Sequence, residues 1–550
     1  MRIHRPGPAR VLAAAAAGVL LLAGCSGTGG GTSADAGKPV AGGTLTYAVD
    51  TEPVSWDPHV STQDLTAELQ RQVFDSLVSE DAEGKFHPWL ATSWEVAPDL
   101  KSFTFHLRTD VKFHDGTPFD AAAVKANFDH IVAKETKSQY AANLLGSYTG
   151  TTVVDPATAK VEFAQPSAPF LQAASTAYLG FYSPKALTEN AAKLGQGGAA
   201  DVGTGPFRFV SYSKGQEAVF EKNPDYAWGP ATAAHTGPAH LDKFVVRFLP
   251  DASVRVGALN SGQVQVAKAV PPQSVSGVKA NSQLKLLSQA SPGGNYNLWL
   301  NGSLAPLDDQ KVRQAVQRGI DLDLDVKTVQ FGQFPRAWSP ISASTPGYNK
   351  DLENSWPYDQ ALSNKLLDEA GWTARDGEGY RTKDGRRLTL NWPQLTANAT
   401  QQSRDILGQA IQADLKKIGV EVQRPALDVG AYSTLVYGGK ANVVDMAWAR
   451  FEPDVLWLFF NSGSNPAKGG INATFLPDRQ LDEWTDQGRT TLDPEQRAKV
   501  YRQVQARAID LATVIPVYTP YALTGVSAKV GGLGFDSDTW LNFYDAWRTP

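Results

Sequence analysis

A single thiol occurs in this chain of 550 residues, and it stands at position 25. It closes a short leader: Arg2, Arg5 and Arg10 come first, then an apolar run from Val11 to Ala23. That run is too short to cross a bilayer as a mature helix and has the layout of a secretory signal, with small residues Ala23 and Gly24 at its end. Everything after Cys25 must therefore fold with no disulfide, no thiolate metal site and no cysteine nucleophile. Stability has to come from buried apolar cores, and a chain this long needs two or three of them. The supply is adequate: 42% of residues are hydrophobic, with 14 Trp, 17 Tyr and 23 Phe. A net charge of -5 lacks the basic excess of a nucleic-acid binder.

The stretch Leu22-Ala23-Gly24-Cys25 resembles the bacterial lipoprotein box. There the thiol becomes a diacylglyceryl thioether and the chain is cut just before it. The resemblance implies a signal peptide over 1–25, lipidation of Cys25 and a mature chain held by acyl chains on the extracytoplasmic face, with no spanning helix. The alternative is an ordinary cleaved signal with a stray cysteine. Residues 26–42 are Gly, Ser, Thr and Ala with few others and form a flexible tether. The Gly31–Lys38 stretch fails as a phosphate loop, because Pro39 replaces the needed hydroxyl and no strand precedes it.

Order is expected from Gly43. Thr44–Val49 alternates as a half-buried strand, and Trp56-Asp57-Pro58 marks a shaped loop behind it. Ala67–Val78 reads as a helix. Phe103–Leu107 is a strand, and Asp120 caps a helix through Ile131. Val153–Phe163, Phe207–Lys222, Asp242–Phe248 and Asn295–Leu300 read as strands, and Val254–Leu259 as a helix. The second half is more helical, with Asp308, Asp359 and Asp493-Pro494 as caps, Gly371 as a stop, and a broad apolar stripe over Asp405–Ile418. Alternation of this kind gives α/β lobes whose sheets are covered by helices.

Several stretches appear together in one order. They are Val73–Leu77, Trp89–Trp94, Phe103–Asn127, Gly203–Phe207 with Asn223–Tyr226, Asn295–Asn301 with Val312–Ala315, Leu366–Trp372, and Ile515–Tyr518. In that order they resemble the solute-binding proteins of ABC importers, of the oligopeptide, dipeptide and nickel class. The resemblance implies a two-lobed α/β clamshell of the periplasmic-binding-protein type (type II), with an extra domain inserted in the first lobe. On that pattern 43–60, 200–290 and 514–550 form lobe I, 61–199 the insert and 291–513 lobe II. The chain then crosses between lobes near Ser291–Asn295 and near Ile515–Pro520, and two crossings make a hinge. The expected role is capture of a peptide or peptide-like solute by a monomer that delivers it to membrane permease subunits. An oligosaccharide, an opine-like acid or a metal chelate is the alternative solute. Presentation to a signalling partner is left open.

The leading site segment is Met446–Asp454, where an apolar strand runs into aromatic and polar residues and then Pro453. Ligands in α/β folds sit beyond such strand ends. In the peptide binders an Asp four residues before the matching proline holds the ligand's amine; here that position is Ala449. Arg450 either meets a carboxylate or phosphate, or points to solvent or pairs with Glu452. Trp448 and Phe451 are read as pocket walls or as core. The resemblance adds Trp56 in a cleft-facing loop, Tyr296 and Asn297 at the hinge, and Arg336 and Trp338 near the cleft mouth. No cofactor or metal is expected: His235 and His240 flank a loop without convergent ligands. A secreted lipoprotein hydrolase is the rival of another class, but neither a nucleophile motif nor an acid pair supports it, so no catalytic residue is named.

Overall fold

The computed structural model describes residues 37–395, 401–466 and 470–550, with the side chains of 401 and 402 left aside. Cys25, the signal and most of the tether lie outside the described residues. Among the described residues, no helix is long and apolar enough to cross a membrane.

In chain order the first half gives β1 (Thr44–Val49), helix α1 (Asp64–Gln70), β2 (Ala91–Val96), β3 (Ser102–Leu107), α2 (Ala121–Val132), β4 (Tyr148–Asp155) and β5 (Thr158–Phe163). Then come β6 (Phe207–Ser213), β7 (Glu217–Lys222), β8 (Lys243–Phe248), β9 (Val266–Ala267) and β10 (Leu284–Ala290). The second half contributes β11 (Gly293–Leu300), α3 (Gln310–Arg318), α4 (Gln360–Glu369), β12 (Val443–Ala449), α5 (Pro494–Asp510), β13 (Val514–Tyr518) and β14 (Tyr521–Ser527).

A seven-stranded sheet runs β10-β14-β9-β1-β8-β7-β6. Its centre is β1, parallel to β8 and β9. A four-stranded antiparallel sheet, β2-β3-β5-β4, stands beside it. One continuous apolar cluster joins the two: Leu45 and Tyr47 of β1 belong to the same core as Phe103, Phe105, Phe128 and Phe170. A second cluster surrounds β12-β11-β13 and the helices on it. All eight residues of β11 are buried, as befits a strand covered on both faces.

The two bodies are joined twice. The chain leaves the seven-stranded sheet after β10, crosses at Ser291-Pro292 and enters the three-stranded sheet as β11. It returns between β13 and β14 at Thr519-Pro520, and Ser291 N–H donates to the Pro520 carbonyl at 2.9 Å, tying the crossings together. The return thus falls later than residue 514. Val514–Tyr518 is a fully buried apolar run, and it fills the edge of β11 before the chain goes back.

Local signals account for most elements. Asp120, Asp359 and Asp493 each accept a hydrogen bond from the backbone N–H three residues on, at 2.9, 2.8 and 2.8 Å, satisfying first-turn donors. The cap of α3 is Asp309 rather than Asp308. The runs 153–163 and 207–222 each prove to hold parts of two antiparallel strands. The expected helix over 67–78 ends at Gln70 instead. A distant strand entry takes over there: Gly205 N–H donates to the Val73 carbonyl and Phe207 N–H to that of Gln72. A Cβ on Gly203 would lie 2.0 Å from the Val73 oxygen, so only glycine permits the approach.

Candidate functional site

A cavity of about 620 Å³ lies where the two bodies meet. The first body supplies the end of β1 with Tyr47, Asp50 and Thr51, and the start of α1 with Asp64 and Glu68. It also supplies Lys268 just after β9, the start of β14 from Tyr521, and Trp540 near the C-terminus. From the second body come Ala447, Trp448 and Ala449, the end of β12. Ser291 of the crossing completes the wall. Strand ends and a helix start converge here because β1 and β9 run parallel and stop together beside the crossings.

The charge of the cavity is mostly carboxylate. Glu68 is buried, accepts from the Tyr47 hydroxyl at 2.6 Å and pairs with Lys268. Burial works against the Lys268 ammonium, but Glu68, Asp50 and Asp64 more than offset it and keep the lysine charged. The Lys268 cation is spent on Glu68, and among the described residues no other lysine or arginine lines the cavity. Asp64 is open to the cavity and accepts only a long hydrogen bond, from the Tyr178 hydroxyl at 3.4 Å, among the described residues. The surrounding protein, with Asp538 and Glu68, pushes its carboxyl up to about 7 against the pull of Lys268. Asp50 likewise has no ion-pair partner among the described residues. Trp540 is buried with its indole N–H unpaired, and Trp448 sets its ring edge-on to Tyr140 with centroids 5.6 Å apart.

The seam beside the cavity holds the bodies against each other. Phe451 N–H, from the second body, donates to Asp538 Oδ1 of the first at 2.8 Å. The Phe451 ring lies over Gly84: a Cβ there would come within 3.2 Å of its Cε1. Ala168 N–H donates to the Arg489 carbonyl at 2.9 Å.

Of the residues expected at the site, Trp448 lines the cavity. Phe451 is buried in the seam instead of forming a cavity wall. Arg450 does not pair with Glu452, which takes Arg497; it faces a separate crevice. The remaining five line neither space. Trp56 is 1% exposed and packs against Phe209 and Tyr212 at 4.7 and 5.2 Å, because the loop carrying it folds back onto the sheet. Tyr296 stacks on Tyr518 and donates to Asp445 at 2.8 Å. Asn297, fully buried, donates to the Pro340 carbonyl. Arg336 is held between the rings of Trp338 and Trp356, 3.5 and 4.7 Å from their centroids, and pairs with Asp323. Trp338 therefore serves a cation–π stack rather than a cleft mouth. Sequence reading missed Asp50, Asp64, Glu68 and Lys268. Asp50 directly after β1 and Asp64 opening α1 were the available signals; Lys268 lies 200 residues from its partner. His235 meets Asp545 at 2.7 Å and stacks on His240, and no metal-holding cluster occurs among the described residues.

Comparison with known proteins accords with this architecture. Residues 85–470 match the model of the bacterial extracellular solute-binding proteins, family 5. A glutathione-binding protein GsiB from Pectobacterium atrosepticum is 28% identical over 528 residues, 94% of this chain and 96% of that one. The GsiB of Escherichia coli K12 is 27% identical over 91% of this chain and 94% of its own. Among solved structures, NikA from Brucella suis in complex with Fe(III)-EDTA superposes with a TM-score of 0.81 at 26% identity, covering 92% of this chain and all of that one. AgaA of A. tumefaciens in complex with agropinic acid gives 0.77 at 25% identity, covering 92% and 99%. With two α/β bodies joined by a paired crossing, a cavity between them and a family match over most of its length, the chain belongs to the bacterial extracellular solute-binding proteins of family 5.

Proposed function

We propose that this protein captures a peptide or peptide-like solute bearing a protonated amino group and delivers it to the permease of an ABC importer. It does so while anchored through a lipid on Cys25 and acting as a monomer. Residues 61–199 act as an insert of the first lobe. Capture proceeds by closure about the paired crossing, with Trp448 and Phe451 as the second lobe's contribution. No reaction on the solute is involved. One observation carries the choice of solute: the cavity is built by both bodies, and its unspent charges are the carboxylates of Asp50 and Asp64. Its size is within the roughly 300–1,000 Å³ of small-molecule sites. Loss of the carboxylate at Ala449 is compensated from the opposite wall, where Asp64 offers one. A ligand that touches both bodies stabilises the closed form, whereas one that touches a single body equally in both states shifts nothing.

Relatives named for glutathione, with the peptide-bound structures of the same fold, support the peptide-like class. Relatives holding a chelate or an opine keep those solutes as a second reading, and the Trp448, Tyr521 and Phe535 walls would suit a sugar. A polyanionic chelate, however, would face Asp50 and Asp64 with only an occupied lysine for company. Native mass spectrometry of the purified protein, followed by a thermal-shift screen of peptides, sugars and chelates, tests the reading. It expects a peptide-sized mass and stabilisation by free-amine peptides. Stabilisation by neutral sugars or polyanions alone contradicts it.

A further inference from the structure

A second crevice, of about 410 Å³, separates the insert from the second body. Asn143, Ser147, Gln165 and Ser167 form one wall; Arg450 and Arg489 stand in the other with the carboxylates of Asp454 and Asp486, the latter taken by Trp457 and Asn461. Arg489 is spoken for. It grips Asp454 through two nitrogens, each at 2.9 Å, and lies on the Trp457 ring at 3.6 Å. Asp454 takes the Tyr501 hydroxyl as well, and Glu452 is occupied by Arg497. Arg450 is left over. It is 6% exposed, yet no carboxylate pairs with it among the described residues, and its one hydrogen bond is a long contact from Nε to Gln172 Oε1 at 3.5 Å. Gln172 is 1% exposed and its Nε2 has no acceptor. The Arg450 Nη nitrogens and the Gln172 amide nitrogen beside them thus have no acceptor among the described residues. Against the cost of burial, Tyr140, Asp454, Glu452 and Asp538 favour the Arg450 charge, but none of them bonds its planar fork, which matches two oxygens on one centre.

We infer that Arg450, with Gln172 beside it, forms an oxyanion subsite at the seam between insert and second body, taking a carboxylate or a small inorganic oxyanion. This goes beyond the amine-holding cavity; the free-anion case is independent of that cavity's ligand, and the solute-carboxylate case rests on the proposed peptide-like solute. Because the two donors come from opposite sides of the seam, an anion there bridges the bodies and favours closure. The oxygen can come from the captured solute's own carboxylate or from a free anion.

Two probes separate the sources. Inorganic phosphate is titrated against chloride at matched ionic strength, and a dipeptide is compared with its carboxyl-amidated form, both by thermal shift and calorimetry on the purified protein carrying Cys25→Ser. A saturable phosphate stabilisation that disappears in Arg450→Gln supports a free oxyanion. A silent phosphate arm, with the free-acid dipeptide bound about tenfold tighter than the amide and that gap lost in Arg450→Gln, supports the solute's carboxylate. Should Arg450→Gln fail to fold by circular dichroism, Arg450→Lys replaces it; it keeps the charge and loses the fork, and a weakened response is expected. No Arg450-dependent response to either probe overturns the assignment.

Discussion

Asp64 and Lys268 divide the electrostatic labour of the cavity. Lys268 cannot answer a ligand anion without abandoning Glu68, whereas Asp64 can answer a ligand cation at once. An ammonium prefers the ionised carboxylate, and Asp64 is pushed up to about 7. Affinity for a free-amine peptide is therefore expected to rise from pH 5 to about 7.5, then fall as the amine itself loses its proton, with a pKa near 8. Calorimetry across that range checks it. Asp64→Asn should flatten the acidic limb and weaken binding by about tenfold, the scale of one charge-assisted hydrogen bond; an unchanged profile would remove Asp64 from the site. Lys268→Met is a stability experiment. It strands the buried Glu68 carboxylate and is expected to cost about 3–5 kcal/mol, read from urea unfolding; a cost under about 1 kcal/mol would mean that water already screens the pair.

At the level of elements, the β11–β12 pair is the device that presents Trp448 and Arg450. Its tightest point is Gly293, directly after the first crossing. There φ is +82°, and a Cβ would sit 2.5 Å from both the Arg450 nitrogen and the Trp448 oxygen. Neither neighbour can yield, because both are backbone. Gly293→Ala should therefore push the end of β12 out of place and lower solute affinity more than it lowers secondary-structure content, which calorimetry and circular dichroism on one sample would show. Phe451→Ala acts on the seam instead. It removes the ring that lies over Gly84, so the closed form loses contacts the open form never had, and apparent affinity falls with the fraction closed. Undiminished affinity would detach Phe451 from closure.

The elements were largely legible because their signals are local. Capping aspartates, the Thr44–Val49 alternation and the buried Val514–Tyr518 run each announce themselves within a few residues. The end of α1 was not legible, since it is decided by Gly203 and Gly205 arriving from 130 residues away. The cavity was half legible for the same reason. Trp448 follows from a strand end beside a proline, but Glu68 and Lys268 meet only after β1 and β9 have paired. Aromatic richness misled: Trp56, Tyr296 and Trp338 satisfy cores and a stacked arginine, which a sequence cannot distinguish from pocket walls.

For the molecule as a whole, the paired crossing at Ser291-Pro292 and Thr519-Pro520 permits bending while the hydrogen bond between its two strands resists sliding. The contacts across the seam include Phe451 to Asp538 and over Gly84, Ala168 to Arg489, Arg450 to Gln172, and Trp448 against Tyr140. A ligand that adds its own contacts to both sides shifts the balance toward the closed form. Val54 on the first body and Leu324 on the second are 87% and 60% exposed, and with Cys25→Ser the chain offers no competing thiol. Dye-labelled Val54→Cys/Leu324→Cys protein therefore reports the distance between bodies by single-molecule energy transfer. Saturation with a peptide proven to bind should collapse a broad distribution to one compact population. A distribution unmoved by a tightly bound solute would contradict capture by closure.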